Sequence, residues 1–165
     1  MLDPEIEAAL NDQINFEQTA AQEYLAMAAH FERRNLKGFA AFMKAQSFEE
    51  RDHAMRLFDH VFSRGGCVKL GSIIEPQSEF ASPKAVFDAA YSREQANTRA
   101  IHDLYGLADD KNDYPTQTML QWFITEQVEE EEWCQEAVTL LEMAGDNKSA
   151  LLMLDRRYGE QAQEG

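Results

Sequence analysis

The segment F-E-E-R-D-H-A-M, Phe48 to Met55, lies inside a run that reads as helix, yet it sets Glu49, Glu50, Arg51, Asp52 and His53 between two core-type residues. Three-and-four spacing puts Phe39, Met43, Gln46, Glu50, His53, Leu57 and Val61 on one face. Glu50 and His53 therefore fall on the stripe that should be buried. Glu49 and Arg51 fall beside it. A buried carboxylate without a counter-charge is strongly disfavoured, so this stripe asks for either a proton or a cation.

The same reading extends outward to the rest of the chain. Helices are expected at 4–34, 36–64, 83–110, 115–144 and 148–158. Asp3-Pro4 and Ser82-Pro83 are cap-then-proline starts, Pro115 opens the fourth helix, and Gly65-Gly66 and Gly145 are stops. No segment alternates with period two, so no sheet is expected. Short first and third connections with a long crossover near 65–81 describe an all-α, ferritin-like four-helix bundle with a short fifth helix, in one domain.

Each long helix has a polar group in mid-stripe. On the first helix the stripe is Leu10, Ile14, Glu17, Ala21, Tyr24 and Ala28. On the third it is Phe87, Tyr91, Glu94, Thr98, Ile101 and Tyr105. On the fourth it is Leu120, Phe123, Gln127, Glu130, Cys134, Ala137 and Leu141. The pattern also repeats: Glu17 to Glu50 and Glu94 to Gln127 are both 33 residues apart, and His53 and Glu130 each lie three further on. One Glu from each of two helices, plus Glu-x-x-His from each of the other two, is the arrangement that holds two metal ions inside carboxylate bundles. The first half of the chain matches it. The second half has Gln127 for the Glu and Glu130 for the His.

Mixed carboxylate and imidazole ligands suit iron, although zinc would bind them too. A carboxylate at the centre of the set, Glu50, is placed to bridge two ions. The oxygen-rich second position, near Gln127 and Glu130, should release its metal more easily. Tyr24 shares the face of Glu17 and can approach Glu94, where its phenol is a candidate electron donor or a hydrogen-bonded core tyrosine. Glu49, Glu126, Glu129 and Glu130 are candidates for a third cation site, or else a solvated acidic face. Glu131 and Glu132 are left to solvent.

Composition narrows the functional classes. Thirty acids against fifteen bases give a formal charge of -15, which argues against nucleic-acid binding and favours cations. Cys67 and Cys134 form no C-x-x-C pair, so no rubredoxin-like or zinc-ribbon module is expected. The opening MLDPEIEAAL has no basic, then apolar, leader, and no apolar run approaches a membrane span. A cytoplasmic protein is expected.

The stretches E-E-R-D-H (49–53), E-Q-A-N-T (94–98), D-Y-P-T (113–116) and L-Q-W-F-I-T-E-Q-V-E-E-E (120–131), with Glu17, resemble the bacterial non-haem ferritins over essentially the whole chain. The resemblance implies a hollow homo-oligomeric shell of 24 subunits that oxidises Fe(II) with dioxygen or hydrogen peroxide and stores ferric mineral. It implies that Glu17, Glu50 and His53 hold one iron and that Glu50, Glu94 and Glu130 hold a second. Gln127 would hydrogen-bond a metal-bound water or stand behind the ligands. Glu49, Glu126, Glu129 and Glu130 match a third iron position, Tyr24 the tyrosine beside the centre, and Trp122 the nearby tryptophan. Bacterioferritins resemble the chain but carry a haem-ligating Met after the bridging Glu; here Arg51 stands there, so no haem is expected. Two other functions remain open on the sequence: a soluble di-iron oxidoreductase acting on an organic substrate, and a non-catalytic structural cage subunit.

Overall fold

The computed structural model describes residues 1–164 and contains five helices: α1 Pro4–Arg33, α2 Lys37–Ser63, α3 Pro83–Asp110, α4 Tyr114–Ala144 and α5 Lys148–Glu164. Their starts follow from local chemistry. Asp3 accepts a hydrogen bond from the Glu5 N–H, Ser82 from Ala85 and Asp113 from Thr116, each satisfying an otherwise orphaned amide of a first turn. The stops are equally local. Asn35 and Asn112 take positive φ in the tight turns after α1 and α3, and Gly65 and Gly145 do so after α2 and α4.

Those turns make two helical hairpins, α1–α2 and α3–α4, joined by a crossover without regular structure at 65–81. The crossover is pinned along α1. Asn11 donates to the Cys67 carbonyl at 3.0 Å and Asn15 to the Lys69 carbonyl at 3.0 Å, while Lys69 and Gly71 donate their N–H groups back to the same two side chains at 2.6 Å. Among the described residues no strand occurs, as the absence of two-residue periodicity requires.

The core is split. One apolar cluster gathers Ile6, Leu10, Ile14, Leu57, Val61, Ile101, Leu120 and Phe123, among others. The other gathers Tyr24, Phe31, Phe39, Met43, Phe87, Ala137 and Tyr158, among others. Along every long helix the break between them is the polar mid-stripe, so the polar groups form a belt between two greasy halves.

Three details depart from the sequence reading. On α3 the buried face carries Ala90, Asn97 and Leu104, and the expected Tyr91, Thr98 and Tyr105 are only half-buried. The stripe is rotated by one residue, which leaves the three hydroxyls near water while Asn97 finds side-chain partners inside. Phe48 and Met55, core types by composition, are 64% and 45% exposed on the isolated subunit. Finally, α5 runs on past Tyr158 to Glu164. Gly159, which looks like a stop, instead lets α5 cross α2: a Cβ there would lie 2.8 Å from the Gly38 Cα.

Candidate metal centre

Four carboxylates and one imidazole meet in the polar belt. Glu17 comes from α1, Glu50 and His53 from α2, Glu94 from α3 and Glu130 from α4, and all are buried. Glu17, Glu50 and His53 each offer a ligand atom within 4.8 Å of the others, and Glu50, Glu94 and Glu130 do the same. Glu50 belongs to both sets. This is the division into two overlapping trios expected from the spacing.

The trios are held by neighbours with no metal-ligand chemistry of their own. Gln13 donates to Glu17 Oε1 at 2.7 Å and to Asn97 Oδ1 at 2.7 Å. Asn97 donates to Glu17 Oε2 at 3.2 Å and to Gln127 Oε1 at 3.3 Å. Gln127 in turn donates to Glu94 Oε2 at 3.3 Å and to Thr98 Oγ1 at 3.3 Å. The Tyr24 hydroxyl donates to Glu94 Oε1, and Trp133 Nε1 donates to Glu130 Oε2 at 2.6 Å. Trp122 packs edge-on against the His53 ring, with centroids 5.3 Å apart.

Gln13, Asn97 and Trp133 do not stand out in the sequence, yet it holds a signal for them. Asn97 and Trp133 follow Glu94 and Glu130 by three residues, as His53 follows Glu50, and Gln13 precedes Glu17 by four. Each is the helical neighbour of a buried carboxylate.

Some polar atoms in the belt have no partner at all. Both oxygens of Glu50 and Nδ1 of His53 are buried and make no hydrogen bond. Buried polar atoms are almost always satisfied, so such a group of orphans marks a place for a ligand that accepts electron pairs. The electrostatics agree. Burial, then the neighbouring Glu50, pushes the Glu17 carboxyl well above its ordinary range. Burial, then Glu94, does the same to Glu50 and to Glu130. Glu94 is raised by burial despite the hydrogen bonds from Tyr24 and Gln127. Tyr24 is itself raised, by burial and by the Glu94 charge, so its phenol holds its proton. A cation among these groups relieves the repulsion directly, and the donor set of oxygens with one imidazole fits iron.

The candidate third position is less gathered. Glu126 is half-buried and offers an oxygen within 4.8 Å of ligand atoms of His53 and Glu130. Glu49 and Glu129 are exposed and join none of the three ligand groups found among the described residues. Glu49 accepts a hydrogen bond from Gln46 at 2.7 Å, which turns its carboxylate along α2.

Residues 7–144 match the model of the ferritin-like domain family. The chain is 35% identical over 159 residues to a bacterial non-heme ferritin of Staphylococcus aureus (strain USA300), covering 96% of each protein. It is 36% identical over 156 residues to one from Staphylococcus haemolyticus (strain JCSC1435), covering 94% of each. Among solved structures it superimposes on an open-pore ferritin from the hyperthermophilic archaeon Archaeoglobus fulgidus with a TM-score of 0.95 and 43% identity, covering 96% of this chain and 98% of that one.

Proposed function

From the premise that this chain belongs to the ferritin family, we propose that it is a ferroxidase as well as an iron store, with Fe(II) as substrate of the buried centre. Glu17, Glu50 and His53 take one Fe(II), and Glu50, Glu94 and Glu130 take the second. Each ion gives up one electron. Dioxygen accepts both, with two protons, and leaves as hydrogen peroxide, which is itself an oxidant for further Fe(II). The ferric product moves on to a mineral inside a hollow shell of 24 copies of the chain, in the cytoplasm. Glu126 with Glu49, Glu129 and Glu130 forms a third, more open cation position beside the pair. Gln127 steadies Glu94, and Tyr24 supplies a further electron from beside it.

The observation that carries this reading is Glu50: it is shared by both ligand trios, fully buried, and has no hydrogen bond on either oxygen. A carboxylate so placed is suited to bridging two cations and to little else. The roles follow from the surroundings. Asn97 and Gln13 hold Glu17, and Trp133 holds Glu130, so the carboxylates are oriented before a cation arrives. The apolar clusters on either side of the belt exclude bulk water from the oxidised pair.

Size-exclusion chromatography combined with absorbance after adding Fe(II) in air tests the proposal. A large assembly, rapid rise of ferric absorbance and iron retained in the protein fraction are expected. A large assembly that leaves Fe(II) to oxidise at the rate of protein-free buffer overturns the ferroxidase reading. A small species that oxidises iron but retains none overturns the storage reading.

A further inference from the structure

Arg93 lies against the centre without belonging to it. Its side chain is 15% exposed and spans from α3 to α1. Nη2 donates to the Phe16 carbonyl at 2.6 Å, one residue before Glu17, and the guanidinium sits 3.8 Å from the centroid of the Phe16 ring. Glu23 Oε2 is 3.3 Å from Nε, yet the buried Nε makes no hydrogen bond. The guanidinium is therefore fixed, half sealed from water and only loosely neutralised.

A fixed positive charge in such a place acts at a distance, because little water lies between it and the belt. Its effect reaches both shared and second-trio ligands: burial drives Glu50 and Glu94 upward, and the Arg93 charge pulls both back down. That is help for the empty centre. For an arriving cation the same charge is repulsive.

We propose that Arg93 is a resident counter-charge of the carboxylate centre, stabilising it when empty and weakening its hold on divalent cations, so that the centre passes iron on rather than keeping it. Arg93 touches no substrate. It acts through Glu50 and Glu94, as a positioning and electrostatic residue. The inference rests on the reading of this centre as the divalent-cation site.

The test is anaerobic calorimetric titration of the metal-free assembled protein with Co(II), for wild type, Arg93→Gln and Arg93→Lys, together with the melting temperature of each metal-free form. Arg93→Gln is expected to bind Co(II) about tenfold more tightly, ~1.4 kcal/mol, and to melt lower when metal-free. Arg93→Lys keeps the charge but loses the planar fork on Phe16, and is expected to stay within about twofold of wild type in affinity, a tolerance of ~0.4 kcal/mol. Affinity and stability moving in opposite directions is the signature, since simple loss of packing would lower both. Unchanged or weaker binding in Arg93→Gln, or Arg93→Lys behaving like Arg93→Gln, overturns the proposal. Wild type that takes up no Co(II) at all instead overturns the assignment of the centre, which keeps the two failures apart.

Discussion

Glu50 concentrates the conflict between folding and function in one side chain. Without a cation it is a buried carboxylate with two unsatisfied oxygens, raised by burial and by Glu94. Replacing a buried charge by a neutral group of similar shape often stabilises a protein. Glu50→Gln is therefore expected to raise the melting temperature of the metal-free protein, by about 2–4 °C for each kcal/mol at this chain length. The same change removes a ligand from both trios, so rapid Fe(II) oxidation should disappear. Calorimetry and stopped-flow absorbance on one preparation check both halves. A lower melting temperature with normal oxidation would remove Glu50 from its bridging role. Tyr24 separates binding from chemistry in a different way. Tyr24→Phe keeps the ring that packs 6.4 Å from Trp133 but removes the hydroxyl that donates to Glu94. Cation stoichiometry in anaerobic titration should be unchanged, and the ratio of Fe(II) oxidised to dioxygen consumed, read with an oxygen electrode, should change. Loss of a bound cation instead would make Tyr24 a support for Glu94 and nothing more.

At the scale of the element, the helices show which sequence signals carry far. Caps, prolines and glycine stops are local, so α1 to α4 begin and end within a residue or so of expectation. The polar mid-stripe is readable because four helices each break an apolar pattern at the same depth. The rotation of the α3 face is not, because Tyr, Thr and Asn are all tolerable at a boundary, and only partners from α1 and α4 decide that Asn97 goes in. Phe48 and Met55 mislead for the opposite reason: composition assigns them inside, while register gives the interior to Glu50 and His53. The length of α5 is hidden as well, since Gly159 reads as a terminator until its crossing with Gly38 is seen. That crossing inverts an ordinary rule. Gly→Ala inside a helix usually gains up to about 1 kcal/mol. A methyl added at Gly106 in α3 would meet no atom within 4 Å, so Gly106→Ala should raise stability by about that amount. At Gly159 the methyl would meet backbone, so Gly159→Ala should lower stability by about 1–3 kcal/mol through forced separation of α2 and α5. Thermal denaturation of the two variants gives opposite signs if α5 is docked as described, and equal signs if it is not.

For the whole molecule, the surface of the isolated subunit carries its own argument. No helix is long and apolar enough to cross a membrane, yet several large apolar side chains face outward. Within the crossover Leu70 is 69% exposed, Ile73 44% and Ile74 82%, on a segment that Asn11 and Asn15 hold rigidly against α1. A pinned loop that displays three apolar side chains suits contact with another copy of the chain better than contact with water. The buried ligands, by contrast, all come from one subunit. Assembly and oxidation should therefore be separable. The double change Leu70→Asp with Ile74→Asp places charge on the loop and leaves the belt untouched. It is expected to reduce the mass seen by size-exclusion chromatography with light scattering, while circular dichroism shows the helices retained. The smaller species should still oxidise the first Fe(II) added per subunit at close to the wild-type rate. It should then fail to keep iron in solution as loading rises, because no enclosed cavity remains to hold the ferric product. A variant of unchanged mass would show that this loop is not a subunit contact. One that dissociates and also loses initial oxidation would show that the centre depends on its neighbours, against the single-subunit geometry of Glu17, Glu50, His53, Glu94 and Glu130.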